Sequence, residues 1–347
     1  MSASGADPAP PAEEDALVTF AGVDEAGLGP ILGPLTLGYS VFRAPRSAVN
    51  LWNTLEPIVA RKSRRGSEAF VVADSKEVFT RNKLGAQRLE STVLGFLALL
   101  DPDRDPRRAA ADYLWKTPPA LAPRPEYLAA PWYQGLDLEL PAALDASLLE
   151  LRIEKLSRAL RAGSVEMLDA GVSVHPAAQL NVSFERTRNK SQTHWDASKS
   201  VFRHLWQEHA PAGLRLVVDR HGGRFRYAPL LKRAFPEATI EILREHPQRA
   251  EYDVRERTAS DAAEPRRMRV TFAEKAENRS FPTALGSCLA KYARETAMHA
   301  FNRYFATLQP DLKPTAGYTT DGRRWLEDAQ PAVEMSGVER DTLVRQR

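Results

Sequence analysis

Two apolar runs constrain this chain more than any other feature, because each runs straight into carboxylates. Residues 17–23 read Leu-Val-Thr-Phe-Ala-Gly-Val, with the β-branched and aromatic residues that a buried strand favours, and lead directly into Asp24 and Glu25. Residues 214–218 read Leu-Arg-Leu-Val-Val and stop at Asp219, ahead of the turn Arg220-His-Gly-Gly. An apolar strand that ends in an acid beside glycine holds a charge at the rim of a sheet. The bland alternative is that each acid caps the turn after it, as Asp commonly does. Two such strands, one with adjacent Asp and Glu, weaken that alternative without removing it.

The remaining pattern is a mixture of strands and helices. Strands are expected at 35–42, and at 238–244, 252–257 and 268–272 as an extended hairpin. Helices are expected at 83–100, with Asp74-Ser75 as an N-cap ahead of it, at 144–162, 197–209 and 227–235, and over the long amphipathic stretch 285–308. Frequent prolines between 101 and 141 predict an irregular insertion there, and a second insertion is expected near 244–270. Residues 1–15, rich in Ala, Pro, Ser and acid, read as a disordered leader, and 336–347 as a loose polar tail. Between them, residues 16–335 read as one domain. With 43% hydrophobic and 27% charged residues, the composition is that of a soluble α/β or α+β protein.

Several classes of function are excluded or disfavoured. No apolar run approaches the length of roughly 18 residues that a membrane span needs. The N-terminus lacks the basic and apolar regions of a secretory signal, and Cys288 is the only cysteine. One cysteine excludes an intrachain disulfide framework and a cysteine-built zinc site, and the expected location is cytoplasmic. The glycine-rich stretch 27–33 lacks the Gly-Lys-Ser/Thr end of a P-loop, and His221-Gly-Gly has no Gly-x-Ser-x-Gly partner. The basic run 61–65 reads as a charged loop that could also track a nucleic-acid backbone. A net charge of +3 is compatible with a polyanionic partner without demanding one. Clustered carboxylates, by contrast, can hold two Mg²⁺ or Mn²⁺ ions for phosphodiester hydrolysis, a chemistry that needs hard oxygen ligands and neither cysteine nor histidine.

The segment Gly22-Val-Asp-Glu-Ala-Gly-Leu-Gly-Pro-Ile-Leu-Gly-Pro34 resembles the opening motif of the type 2 ribonucleases H, the ribonuclease HII and HIII family. The likeness continues in Asp74-Ser-Lys76, Gln179-Leu-Asn-Val-Ser183, Leu216-Val-Val-Asp219 and Lys275-Ala-Glu277. It resumes in Ser287-Cys-Leu-Ala-Lys291 with Arg294, and in Thr315-Ala-Gly-Tyr318 leading to Trp325-Leu326, all in the family's order. The resemblance implies an α/β ribonuclease H-like fold with a mixed central sheet, flanking helices and a C-terminal helical portion. It implies metal-dependent endonucleolytic cleavage of the RNA strand of RNA/DNA hybrids, and of single ribonucleotides in duplex DNA, leaving 5′-phosphate ends. The expected partner is such a duplex, the cofactor Mg²⁺ or Mn²⁺ in a two-metal site, and the protein a monomer.

Carried onto this sequence, the resemblance assigns Asp24, Glu25 and Asp219 as three of four metal-binding acids. Glu277 stands where most type 2 enzymes have Asp, as is similar to the ribonuclease HIII pattern. Gly27, Leu28 and Gly29 occupy the family's Gly-Arg-Gly turn, with the arginine replaced by Leu28. Lys76, Lys291 and Arg294 are expected around the phosphates, Tyr318 stacked near the scissile junction, and Asn181 and Ser183 on the DNA strand. The departures at Leu28 and Glu277 keep open a rival reading, a weakened or inactive nucleic-acid-binding relative. A hydrolase of the same fold acting on another phosphodiester also stays open.

Overall fold

The computed structural model of the chain describes residues 16–100, 108–109, 119–134, 136, 138–257 and 265–346. The expected leader, 1–15, and much of the first expected insertion lie outside these residues. The strands are β1 (Leu17–Ala26), β2 (Leu35–Pro45), the short pairs β3 (Val59–Ala60) with β4 (Phe70–Val71) and β5 (Arg108–Ala109) with β6 (Glu139–Leu140), then β7 (Glu166–His175), β8 (Leu214–Asp219), β9 (Ala238–His246), β10 (Arg249–Glu256) and β11 (Arg267–Ala273). Seven of them form one mixed sheet in the order β7-β2-β1-β8-β11-β10-β9.

The centre of that sheet explains the apolar runs. β1, β8 and β11 are mutually parallel, with β1 beside β8 and β8 beside β11. A parallel strand is covered on both faces and therefore carries apolar residues in succession. Outside this trio the pairings are antiparallel, β1 with β2, β2 with β7, β11 with β10 and β10 with β9. All three central strands consequently end at one rim of the sheet.

The helices are α1 (Leu51–Thr54), α2 (Ser75–Val78), α3 (Lys83–Leu97), α4 (Pro131–Gln134), α5 (Ala146–Ala162), α6 (Ala177–Thr187), α7 (Lys190–His209), α8 (Ala228–Ala234), α9 (Phe281–Leu308), α10 (Thr319–Asp328), α11 (Gln330–Ser336) and α12 (Arg340–Leu343). On one face of the sheet, α3, α5 and the first half of α9 bury Phe42, Phe96, Phe281 and Leu285. On the other, α7 and α8 bury Trp195, Phe202, Trp206 and Leu231 against Val23, Val218 and Phe272. The second half of α9 forms a third core with α4, α10 and α11 around Trp132, Phe301, Phe305 and Trp325. This is the mixed sheet with flanking helices and a C-terminal helical portion that the resemblance implied. Among the described residues no helix is long and apolar enough to cross a membrane.

Helix α9 crosses the sheet at very short range. A Cβ on Gly38 of β2 would lie 2.1 Å from the Gly286 carbonyl oxygen and 2.7 Å from the Ala290 nitrogen, and one on Gly22 of β1 would lie 2.0 Å from the Thr283 nitrogen. Only glycine allows backbone to meet backbone in this way. Gly38→Ala therefore forces α9 off the sheet, with an expected loss of about 3 kcal/mol, the upper end for overpacking a well-filled core. Urea unfolding checks it, and an unchanged midpoint would mean that the helix can shift at no cost.

Several sequence expectations are corrected here. Strand β7 was not anticipated, and α7 begins at Lys190, seven residues before the expected start, capped by the Asn189 side chain. Of the first expected insertion, the described part returns to the core as α4 and β6. The loop that follows, residues 142–144, is gathered by the buried Glu90, which accepts N–H bonds from Ala142, Ala143 and Leu144 at 2.7–2.9 Å. The strands expected at 238–244, 252–257 and 268–272 are present as β9, β10 and β11, paired antiparallel across the stretch expected as a second insertion. The segment expected as a loose tail contains α12 and is packed: Val344 bridges to Leu32, and the Arg345 side chain is buried.

Candidate active site

Asp24 and Glu25 are the eighth and ninth residues of β1, Asp219 is the last of β8, and Glu277 lies in the turn Ala276–Asn278 just after β11. The three parallel strands thus deliver four carboxylates to one rim. Neighbouring strand residues point to opposite faces. Asp24 accordingly turns towards Ser287 of α9 and Glu25 towards His194 of α7, whose Nε2 is 3.7 Å from Glu25 Oε2. Asp24 Oδ1 accepts the Glu25 N–H at 2.8 Å, and Asp219 Oδ1 accepts the Ala276 N–H at 3.1 Å, which ties the β11 turn to β8.

The electrostatics are those of an undercompensated anionic cluster. Burial, then the charges of Glu25 and Asp219, raise Asp24 well above the usual carboxylate range. Burial and Asp219 push Glu25 up to about 7. Asp219 and Glu277 are raised as well, both chiefly by burial. Lys76 in α2 is the cation whose field reaches all four acids, yet its ammonium lies 4.0 Å from Asp74 and its side chain is 89% exposed. Such a set fits divalent cations, which would relieve the repulsion with hard oxygen ligands. No three of these four, however, bring one oxygen each within 4.8 Å of one another; among the described residues the one group that meets this test is Asp169, His204 and His209. The acids as they stand offer pairs, and must close in to share an ion.

A pH dependence follows for the metal-free protein. An acid whose folded pKa is raised holds its proton longer in the folded state, so its contribution to stability is lost as pH rises from the usual carboxylate range through the folded value. Buried His175 and His194, lowered to about 4, and His221, lowered well below its ordinary value by burial, act oppositely and add stability as pH rises towards 6.5. Above about 6.5, the ordinary histidine value, only the acids remain in play. The melting temperature in EDTA should therefore fall between pH 6.5 and 8, and Mg²⁺ or Mn²⁺ should raise it more at pH 8 than at pH 6. A flat profile would mean that the cluster is already neutralised by the protein.

The remaining expected site residues divide into two groups. Gly27 adopts φ +88°, where only glycine is at ease, and Gly29 is exposed with open space at its Cβ position. Tyr318 is 44% exposed at the start of α10, and the preceding Gly317 carbonyl accepts the N–H groups of Ile31 and Leu32, so the tyrosine stands beside the glycine-rich loop. Lys76 is exposed. Lys291 is half-buried, paired with Glu295 and 4.7 Å from the Phe79 ring centre. Ser183 lies half-buried on α6, its hydroxyl oxygen enclosed without a hydrogen-bond partner.

The others are structural. Arg294, 1% exposed, donates to the carbonyls of Leu32, Pro34 and Ala316 and so clamps the glycine-rich loop to the Thr315–Tyr318 segment rather than facing solvent. Asn181, 3% exposed, has its amide occupied by the C-terminal segment: Nδ2 donates to Asp341 and Val344 carbonyls at 2.7 and 2.8 Å, and Oδ1 accepts the Gln346 N–H at 2.7 Å. Leu28 is half-buried against the core cluster that contains Leu35 and Leu180. It anchors the turn at the position where the resemblance implies an arginine. A guanidinium reaches the same turn from elsewhere: Arg345 donates to the Gly27 carbonyl through Nη1 and to the Gly33 carbonyl through Nε at 2.7 Å.

Sequence reasoning missed Arg345, which carries no local signal. It also missed His194 of α7, and it set aside His221, whose ring centre lies 4.1 Å from that of His194 with the planes tilted by 34°. His194 lies within an amphipathic helix, where a histidine looks like any other core position.

No protein-family model matches the chain, and no curated protein matches it. Solved structures do. Ribonuclease H2 from Pyrococcus horikoshii OT3 is 14% identical over 94% of this chain and 92% of its own, with a TM-score of 0.44. The ribonuclease HII of Archaeoglobus fulgidus, solved in a complex with PCNA, is 14% identical over 95% of each chain, with a TM-score of 0.39. Bst-RNase HIII in complex with Mn²⁺ is 14% identical over 92% of this chain and 70% of its own, with a TM-score of 0.40. These three solved structures, to which this chain is similar, are of a ribonuclease H2, a ribonuclease HII and a ribonuclease HIII.

Proposed function

We propose that this protein is a metal-dependent endoribonuclease that cleaves the RNA strand of RNA/DNA hybrids, and also single ribonucleotides set in duplex DNA. The observation that carries this reading is the delivery of Asp24, Glu25, Asp219 and Glu277 to one rim by three parallel strands, with the field of Lys76 reaching all four. Two Mg²⁺ or Mn²⁺ ions held by these acids would supply an activated water and stabilise the leaving oxygen. In the hydrolysis, water adds to phosphorus and the ribose 3′-oxygen departs, leaving 5′-phosphate and 3′-hydroxyl ends.

The chain's own residues position the strand. The backbone of Gly27 and Gly29 approaches the ribose and reads its 2′-hydroxyl, the group that separates RNA from DNA. Exposed Tyr318 stacks on the adjoining sugar or base. Lys76 and Lys291 hold phosphates. Arg294, Asn181 and Arg345 act through the loops they clamp. The reading takes the protein as a cytoplasmic monomer, in keeping with its single, buried cysteine.

A second reading, a nucleic-acid-binding relative with weakened catalysis, draws on the spacing of the acids and on Leu28. A labelled RNA/DNA hybrid, a single-ribonucleotide duplex and plain duplex DNA, each with Mg²⁺ and with Mn²⁺, separate the two. Cleavage of the first two, with 5′-phosphate products, supports the nuclease. Tight binding of the hybrid without cleavage supports the relative, and equal cleavage of plain DNA would sink the ribose-reading role of the glycine turn.

A further inference from the structure

A second cluster of ligating groups lies well away from the acids. Asp169 of β7, His204 of α7 and His209, the last residue of α7, each bring one ligand atom within 4.8 Å of the other two. Asp169 Oδ2 lies 2.8 Å from His204 Nε2 and 3.1 Å from His209 Nε2. His194, beside the acids, is ten residues earlier on α7, so the two clusters are about 15 Å apart along the helix at 1.5 Å per residue.

We propose that Asp169, His204 and His209 form a second metal site, separate from the carboxylate rim, which binds a borderline transition ion, Zn²⁺. Three observations support it. The first is ligand chemistry: two imidazoles and one carboxylate suit Zn²⁺, whereas an all-carboxylate set suits Mg²⁺ or Mn²⁺. The second is spacing. Ligands about 2.05 Å from a tetrahedral zinc lie about 3.3 Å from each other, so the observed 2.8 and 3.1 Å need to open by only a few tenths of an ångström. The third is the support around the ligands. Buried Tyr39 donates its hydroxyl to Asp169 Oδ1 at 3.0 Å, which leaves Oδ2 to face the two rings, the kind of outer contact that orients a metal ligand.

The backbone is arranged to the same end. His204 and His209 are five residues apart, about 140° round a helix, and would not share a face of a continuous one. His209 ends α7 with φ −121°, outside the helical region, and its ring meets the same carboxylate. Across the gap, β7 carries one extra residue opposite β2 beside Asp169, where the register shifts between Val41 and Phe42. A bulge of this kind re-aims a side chain at a sheet edge. The three side chains are 10–21% exposed, open enough for an ion to enter and for water to take a fourth position.

The test uses the full chain, stripped with a chelator and titrated with Zn²⁺ against a chromophoric competitor. The expected result is one zinc per chain with a Kd of about 1 μM or tighter, retained when Asp24→Asn and Asp219→Asn are combined. His204→Gln and His209→Gln should each weaken it by about a hundredfold, the upper range for disturbing a ligand's support. X-ray absorption at the zinc edge of the wild-type protein is a second readout that needs no variant, and should report two imidazoles with oxygen. No zinc retained at micromolar concentration would overturn the proposal. So would zinc lost with the Asp24 and Asp219 substitutions, zinc kept by both histidine variants, or an absorption spectrum with oxygen ligands alone.

Discussion

Asp24→Asn is expected to abolish hydrolysis while making the metal-free protein more stable. The two effects have one cause. Burial and the neighbouring charges of Glu25 and Asp219 disfavour the Asp24 carboxylate in the folded state, so an isosteric neutral side chain removes repulsion. Asparagine can still accept the Glu25 N–H that Asp24 now accepts at 2.8 Å, so the local turn survives. At pH 8 in EDTA the gain should appear as a higher unfolding midpoint than that of the wild-type protein, and it should shrink as pH falls towards the usual carboxylate range. Hydrolysis should fall by about a thousandfold or more, because an anionic ligand sets both the affinity and the position of the ions. Asp219→Asn should behave alike. Hybrid binding should persist, since the proposed phosphate contacts come from lysine and backbone groups rather than from the acids. A variant that cleaves within tenfold of wild type would remove Asp24 from the ligand set. One that is less stable in EDTA would mark the carboxylate as a turn cap, the bland reading of these strand ends.

The second large effect is expected at Arg345, some three hundred residues from the turn it supports. Its guanidinium bonds the carbonyls of Gly27 and Gly33, which bracket the loop expected to read the ribose. Arg345→Ala leaves both without that donor, at about 1–3 kcal/mol for each one that stays buried and unpaired. The loop can avoid part of that cost by moving. A displacement near 1 Å at a reacting centre can cost about a hundredfold in rate. The expected outcome is therefore a kcat/KM on the hybrid about a hundredfold lower, with a smaller relative change in the unfolding midpoint, and partial rescue by Arg345→Lys. Wild-type kcat/KM in Arg345→Ala would show that the glycine turn is held without its C-terminal brace.

What could be read from the sequence was whatever rests on short-range pattern. The apolar runs of β1 and β8 and their terminal acids are continuous in the chain, and the parallel trio brings them to one rim as their shared ending suggests. Glu277 reached the same rim through the turn after β11. Strand β7 escaped notice because its exposed end and the extra residue near Asp169 blur the alternation. Asn181 and Arg294 sit in motifs that resemble substrate contacts, but their polar atoms are consumed by carbonyls of distant segments, Val344 and Asp341 for one, Leu32, Pro34 and Ala316 for the other. The choice between facing a ligand and facing a backbone is made by tertiary packing, and residue type does not reveal it. The packed C-terminal segment is the same case: its Arg345 side chain is matched to the loop carbonyls of Gly27 and Gly33 rather than to water.

The account stands or falls on where divalent ions bind. Crystals of the protein with Mn²⁺ and an uncleavable RNA/DNA hybrid, recorded at a wavelength where manganese scatters anomalously, locate the ions without reference to activity. The account predicts two peaks about 3.5–4 Å apart, the separation of a two-metal site, enclosed by Asp24, Glu25, Asp219 and Glu277 after these acids have closed in. Manganese found elsewhere on the chain, with no peak between these four carboxylates, would contradict it.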